Sequence, residues 1–285
     1  MNLYLNAETN TEPTWNKRDY LLRAARRLGF DWVIPWRGEP DVECILNIEP
    51  FEKFITGTRW TGIWEIDLAL DRGQMTTSNW VTADDVFIAI STIPGRLKDL
   101  EPKTRFLPQA SDIEVHRRIE KISQEYDFVF SGSMGLDIYR ERERVQNLMR
   151  EHFSFRDYGK AHAPQKYIED LNTARVQFIR SGNTPICPSW TAQRFYECLP
   201  IGPVLTDWTV DLDKTGLVEG LDYFSYKNDT EMLEKMHNLI DNPELANDMA
   251  SRGRMKSLMY HTYEHRLISI LNVIKEHDIP ITGSP

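Results

Sequence analysis

The feature that most constrains this chain is a series of short, nearly continuous apolar runs separated by segments of helical spacing. Asp41 to Ile48 contains VECILNI, and Asp85 to Ser91 reads DVFIAIS. Runs with so little polar alternation suit strands buried on both faces, as inside a parallel sheet. Leu3–Leu5, Trp32–Ile34, Thr61–Leu70 (TGIWEIDLAL) and Thr104–Leu107 extend the series through the first 110 residues. Tyr20, Leu21, Ala24, Ala25 and Leu28 recur at helical spacing, with Thr14 to Asn16 available as a cap and Gly29 as a stop. Phe51–Ile55 offers a helical turn or two. Strands alternating with helices predict a parallel α/β domain. Arg23, Arg26 and Arg27 on the helix read as a solvated face, with an acidic acceptor or another surface as the alternatives.

The alternation resumes beyond Leu107–Asp112 (LPQASD), which reads as a crossover between domains. A helix is expected over Ile113–Ser123, then a strand at Asp127–Phe130, a helix at Arg140–Met149 and a short strand at Phe153–Phe155. Pro164–Leu171 reads as helix and Val176–Ile179 as strand. Ala192, Phe195, Tyr196 and Leu199 put an apolar face on a helix over 191–199, stopped by Pro200 and Gly202. Val204 to Asp207 follows at once as a buried strand. Asp222–Tyr226 is a further short strand. Asp229–Ile240 is an amphipathic helix capped by Asp229 or Thr230. Helices from Pro243 to about Ser251 and from His261 to Lys275 close the chain.

With 41% apolar and 27% charged residues, a folded soluble protein is expected. Nothing approaches 18 continuous apolar residues, so no membrane span is expected. The amino-terminal MNLYLNAETN lacks the basic and apolar regions of a signal peptide. Cys44, Cys187 and Cys198 suggest no disulfide framework, which fits a reducing, cytoplasmic location. A net charge of −9 argues against nucleic acid as a partner. It still leaves room for a local pocket with one or two cations.

Several groups invite chemistry. Arg194 and Glu197 lie on one side of the 191–199 helix, beside its apolar face. Spacing alone allows an ordinary i, i+3 ion pair or a nucleotide site at the carboxyl ends of strands. Ser131-Gly132-Ser133-Met134-Gly135 ends a predicted strand, where small residues let backbone amides approach phosphate oxygens. The same segment also reads as a plain strand-to-helix turn. Glu65 and Asp67 share a face of a strand, and a carboxylate there can act as general base toward an acceptor. Glu8 and Asp71 are further acidic candidates, and Trp60 and Trp64 can stack on a sugar or simply fill a core. His261 and His265 sit at i, i+4, but HTYEH is not the zinc pattern HExxH, and no metal site is expected.

The pieces RFYECLPIGPVLTD (194–207), GLVEGLDYFSYKNDTEMLEKMHNLIDNPELANDMASRGR and HTYEHRL (261–267) carry a resemblance, joined by DFVFSGSM (127–134) and RERERVQNLM. Together they resemble the carboxyl-terminal domain of the CgeB-like (spore maturation protein-like) glycosyltransferases, of the GT-B superfamily and related to the group 1 and group 4 families. The resemblance covers about half of the chain. It implies two Rossmann-like domains with a cleft between them. These would be a trimmed acceptor-side domain over 1–110 and a nucleotide-sugar domain over 111–270, with 271–285 the end of the last helix and a tail. That helix would return toward the first domain.

The activity implied is transfer of a sugar from a nucleoside-diphosphate sugar, UDP- or GDP-linked, to a hydroxyl of a glycan or small acceptor, with no other cofactor. The alternatives are a transferase that modifies DNA or nucleotides, and a non-catalytic binding module. Glu197 would accept hydrogen bonds from the ribose hydroxyls. Arg194, Arg180 and, more weakly, Lys166 are phosphate candidates. Gly132 and Ser133 would meet the diphosphate or acceptor, and Thr191 the diphosphate at the start of the helix. Arg180 and Asn183 lie where the base is expected. Ser189 stands where retaining relatives carry a sugar-binding glutamate, which leaves the sugar contact and the stereochemistry open. Asp67 and Glu65 remain the general-base candidates for an inverting reaction.

Overall fold

The structure is a computed structural model that describes residues 2–6, 17–38, 42, 44–48, 60–65, 86–91, 104–130, 140–159, 164–180, 191–209 and 211–279. The chain forms two compact units, Met1–Gln109 with Tyr263–Pro285, and Ala110–Thr262.

The first unit is built on β1 (Leu3–Asn6), β2 (Val33–Pro35), β3 (Cys44–Ile48), β4 (Trp60–Glu65), β5 (Val86–Ser91) and β6 (Thr104–Phe106). Their order is β2-β1-β3-β4-β5-β6, with every pairing parallel. The order reverses direction once, between β1 and β3, as in doubly wound sheets. Leu3, Leu5, Cys44, Ile45, Leu46 and Ile48 are buried, as expected of strands covered on both faces. Helix α1 (Lys17–Arg27) buries Tyr20, Leu21, Ala24 and Ala25. It ends at Gly29, whose φ of 75° is a left-handed value that glycine adopts at little cost.

In the second unit, β7 (Phe128–Phe130) pairs with β8 (Phe155–Asp157), and β10 (Val204–Asp207) lies between β9 (Gln177–Ile179) and β11 (Phe224–Tyr226), all in parallel. A parallel bridge between Tyr126 and Ala174, and the Val176 N–H donating to the Asp127 carbonyl, carry the layer from β7 to β9. The spatial order is therefore β8-β7-β9-β10-β11, with one reversal, the same logic as in the first unit. The helices are α2 (Arg140–His152), α3 (Pro164–Asn172), α4 (Gln193–Cys198), α5 (Asp229–Asp241) and α6 (Pro243–Tyr260). Phe128, Val145, Met149, Phe178, Leu205, Tyr226, Met232, Met236 and Met249 form one apolar cluster joining α2, α5 and α6 to the strands. A last helix, α7 (Tyr263–Glu276), belongs to the first unit. Its Tyr263 ring stacks on Tyr20 at 5.0 Å, and buried Arg266 donates to the carbonyls of Pro108 and Gln109.

Four expectations need revision. No helix forms over Ile113–Ser123, which runs as turns. Side chains compete there for the amides a helix would use. His116 Nδ1 accepts the Asp112 N–H at 2.8 Å, Asp112 Oδ1 accepts the Glu114 N–H at 2.9 Å, and Asn172 Oδ1 accepts the Ile119 N–H at 2.8 Å. The cap of α5 is Asn228, not Asp229 or Thr230. Asn228 accepts the Glu231 N–H while Glu231 accepts the Lys227 N–H, a reciprocal pair close to a capping box. Helix α6 runs well past Ser251, to Tyr260, and Gly253 within it is a packing residue. A Cβ there would stand 2.9 Å from the Asp222 carbonyl and 3.3 Å from Leu199 Cδ2. Finally, α1's arginines are not merely solvated: Arg27 pairs with Glu264 of α7, and Arg23 lies over the Tyr20 ring.

Candidate active site

Helix α4 is only six residues long, yet it carries a buried polar network. Phe195, Tyr196, Cys198 and Leu199 are buried and anchor it. That anchoring takes Glu197 into the interior with them, at 4% exposure. A buried carboxylate is tolerable only when hydrogen-bonded, and this one is. Tyr167 Oη of α3 donates to Glu197 Oε2 at 3.0 Å, and Gln193 Nε2 donates to Oε1 at 2.6 Å. His116 Nε2 lies 3.6 Å from the same Oε1.

Arg194 and Glu197 do not meet as a simple i, i+3 pair; they are joined through Tyr167, whose hydroxyl accepts from Arg194 Nε at 3.1 Å. The Arg194 guanidinium also lies over the rings of Phe130 and Tyr167. Burial pushes the Tyr167 phenol well above its ordinary pKa; the carboxylate of Glu197 adds to the rise and the Arg194 charge opposes it. Burial pulls the Arg194 guanidinium down, and its surroundings at Tyr167, Cys198 and Glu197 more than offset that. Burial likewise pushes the Cys198 thiol up, which leaves it an unreactive core group.

Two further clusters lie nearby in sequence. Thr191 gives its N–H to Asp211 Oδ2 at 3.1 Å and its hydroxyl to Asp211 Oδ1 at 2.7 Å, with the Thr209 hydroxyl 2.6 Å away. Burial raises the Asp211 pKa, and the bonds from Thr209 and Thr191 partly offset it. Both donors of Thr191 are thus occupied within the chain. At the carboxyl ends of β9 and β10, Arg180 Nη1 donates to Asp207 Oδ2 at 3.2 Å, where Asp207 is almost fully buried. Arg142 of α2 donates to the Arg180 carbonyl at 3.2 Å. Trp208 follows Asp207, with Lys227 Nζ 4.9 Å from its ring. Lys166 pairs with Asp170 and lies over the Tyr158 ring.

The structure therefore gathers Arg194 and Glu197 into one network and puts Arg180 and Thr191 in separate ones of the same unit. Glu65 is the last residue of β4, opposite Ser91 of β5 in the first unit. Asp67, Gly132, Ser133 and Ser189 lie outside the described residues, as do Glu8, Asp71 and Asn183. Among the described residues no group of three or more His, Cys, Asp or Glu side chains could hold a metal ion. Cys44 and Cys198 are buried and not joined in a disulfide, and no helix among the described residues is long and apolar enough to cross a membrane. Tyr167, Gln193 and His116 were not anticipated. The Gln193–Glu197 i, i+4 spacing was readable on the helix; Tyr167 and His116 come from distant segments and left no local signal.

Two doubly wound α/β units in one chain, each with a single reversal of strand order, define the GT-B class. A family model described as glycosyl transferase-like matches residues 113–272, more than half of the chain and the whole of the α4 network. The chain belongs to that glycosyl transferase-like family. No curated protein matches it in sequence. Solved structures share its fold at low identity. HepE of Anabaena, in complex with UDP and glucose, aligns at TM-score 0.64 and 9% identity over 97% of this chain and 100% of that one. Sucrose-phosphate synthase of Thermosynechococcus elongatus aligns at 0.59 and 10% over 98% and 99%. The DNA-modifying enzyme β-glucosyltransferase, studied with and without uridine diphosphoglucose, aligns at 0.61 and 11% over 96% and 100%.

Proposed function

We propose that this protein is a glycosyltransferase of the CgeB-like group that moves a sugar from a nucleoside-diphosphate sugar to a hydroxyl of a glycan or small acceptor in the cytoplasm. The observation that carries the reading is the ordered carboxylate of Glu197, held on α4 inside the segment that matches the glycosyl transferase-like family. Two adjacent ribose hydroxyls are a pair of donors, and an ionised carboxylate is an acceptor for both. Arg194 and Arg180 supply cations to the diphosphate, where negative charge accumulates as the glycosidic bond breaks. Gly132 and Ser133 are the proposed contacts to the diphosphate or acceptor, Thr191 and Asp211 brace the start of α4, and Ser189 holds the position where retaining relatives carry a sugar-binding glutamate, which leaves the sugar contact open. Asp67, with Glu65 as the alternative, acts as general base on the acceptor. HepE is described with UDP and glucose, and β-glucosyltransferase with uridine diphosphoglucose, so UDP-sugars are the first donors to test.

Calorimetry with UDP, GDP, ADP and dTDP tests the binding half, and wild type binding none of them would overturn it. Removing a pair of charge-assisted hydrogen bonds by Glu197→Gln should weaken the best ligand by about 2–4 kcal/mol, roughly 30- to 700-fold. Unchanged affinity would refute the ribose role. Transfer from the matching sugar donor to an acceptor, read by product analysis, tests the reaction itself.

A further inference from the structure

Three side chains surround the Glu197 carboxylate, and they differ in how freely they can leave it. Tyr167 is 4% exposed and His116 is 1% exposed, and both come from segments distant in sequence. His116 is held further by its own hydrogen bond. Its Nδ1 accepts the Asp112 N–H at 2.8 Å. Its other ring nitrogen, Nε2, lies 3.6 Å from Glu197 Oε1. Tyr167 fixes Oε2 and His116 flanks Oε1 from the interior. Gln193 is different. It is half-buried, sits one turn before Glu197 on α4, and reaches Oε1 at 2.6 Å with an N–H donor on a flexible side chain.

We infer that Gln193 is an internal stand-in for the donor's ribose: its amide holds Oε1 of Glu197 and swings away when a nucleotide binds. The inference rests on the ribose role proposed above for Glu197. An amide N–H and a ribose hydroxyl present the same donor to the same carboxylate oxygen, so they compete. Rotation of Gln193 needs no unpacking of the core, because the polar end moves from a half-buried position into water. Tyr167 and His116 keep the carboxylate oriented during the exchange. Gln193 is then a residue that sets donor affinity and preference for ribonucleotides.

The test is calorimetry on wild type and Gln193→Ala with UDP, GDP and ADP and their 2′-deoxy counterparts. Gln193→Ala should bind the preferred ribonucleotide about three- to tenfold tighter, the reach of one hydrogen bond net of water, and should widen the ratio of ribo to deoxy affinity. Equal or weaker ribonucleotide binding by Gln193→Ala, with wild type still preferring ribo over deoxy, would overturn the stand-in role alone. A wild type indifferent to the 2′-hydroxyl would instead overturn the Glu197 reading and take this inference with it. Gln193→Ser serves as the second variant if alanine lowers stability. An NMR readout is independent of any variant: the Gln193 side-chain amide signals should shift on adding the ribonucleotide, and signals that stay in place at saturation would refute the exchange.

Discussion

Tyr167 is the residue whose removal tests the α4 network most directly. Its hydroxyl accepts from Arg194 Nε at 3.1 Å and donates to Glu197 Oε2 at 3.0 Å, so Tyr167→Phe deletes both bonds while keeping the ring. Hydrogen bonds to charged groups contribute about 1.5–3 kcal/mol each, so the gross loss is about 3–6 kcal/mol. Arg194 and Glu197 lie three residues apart on one helix and recover part of it by approaching each other directly. The net destabilisation should be about 2–4 kcal/mol. For a unit of this size that is a fall in melting temperature of roughly 4–16 °C. The raised pKa of the phenol keeps it a donor throughout the neutral range, so the effect should not depend on pH there. Urea denaturation of both proteins measures the difference. A double-mutant cycle with Glu197→Gln then separates the hydroxyl's bond from the ring's packing. A loss below about 0.5 kcal/mol, or a coupling near zero, would refute the view that this bond holds the carboxylate in place.

Two further predictions concern the scaffold. Gly253→Ala should gain about 1 kcal/mol of helix propensity yet destabilise overall by about 1–2 kcal/mol, because its Cβ would meet the Asp222 carbonyl at 2.9 Å. An unchanged or higher melting temperature would contradict that packing. At the junction of α2 and α5, Arg144 donates to both oxygens of Asp229, at 2.7 and 3.0 Å. The hydrogen bond from Arg144 holds the Asp229 pKa below the usual carboxylate value. A depressed folded pKa means stability that is present above the unfolded pKa and lost as pH falls through the folded one. Asp229→Asn should therefore be less stable than wild type at neutral pH, by under about 1 kcal/mol for so exposed a pair. The gap should close in acid, and a gap that persists or widens there would oppose the assignment.

The strands were legible because their information is local. VECILNI and DVFIAIS are apolar enough that only a sheet covered on both faces suits them, and β3 and β5 fall there. The 113–123 segment failed for the opposite reason. The partners of its amides include Asn172, on another helix, and no window of sequence contains that bond. The extension of α6 past Ser251 is hidden in a similar way, because Gly253 lies within it. A glycine ordinarily lowers confidence in a helix, and here its value lies in what it leaves empty beside Leu199 and Asp222.

The same division runs through the site. Arg194 and Glu197 stood out because they share a short helix with Phe195, Tyr196 and Leu199, and that spacing can be read along the chain. Their relation to each other could not. On an exposed helix the two charges would pair directly at i, i+3, but burial of the apolar face takes Glu197 to 4% exposure. At that depth a carboxylate must find donors that stay with it, and the donors that stay are those fixed by their own packing. Tyr167 meets the requirement from α3, and His116, held by the Asp112 N–H at its other nitrogen, lies beside the same carboxylate with Nε2 3.6 Å from Oε1. The turn over 113–123 that replaced the expected helix is therefore the feature that puts an imidazole beside Glu197. The error in secondary structure and the missed site residue have one physical origin.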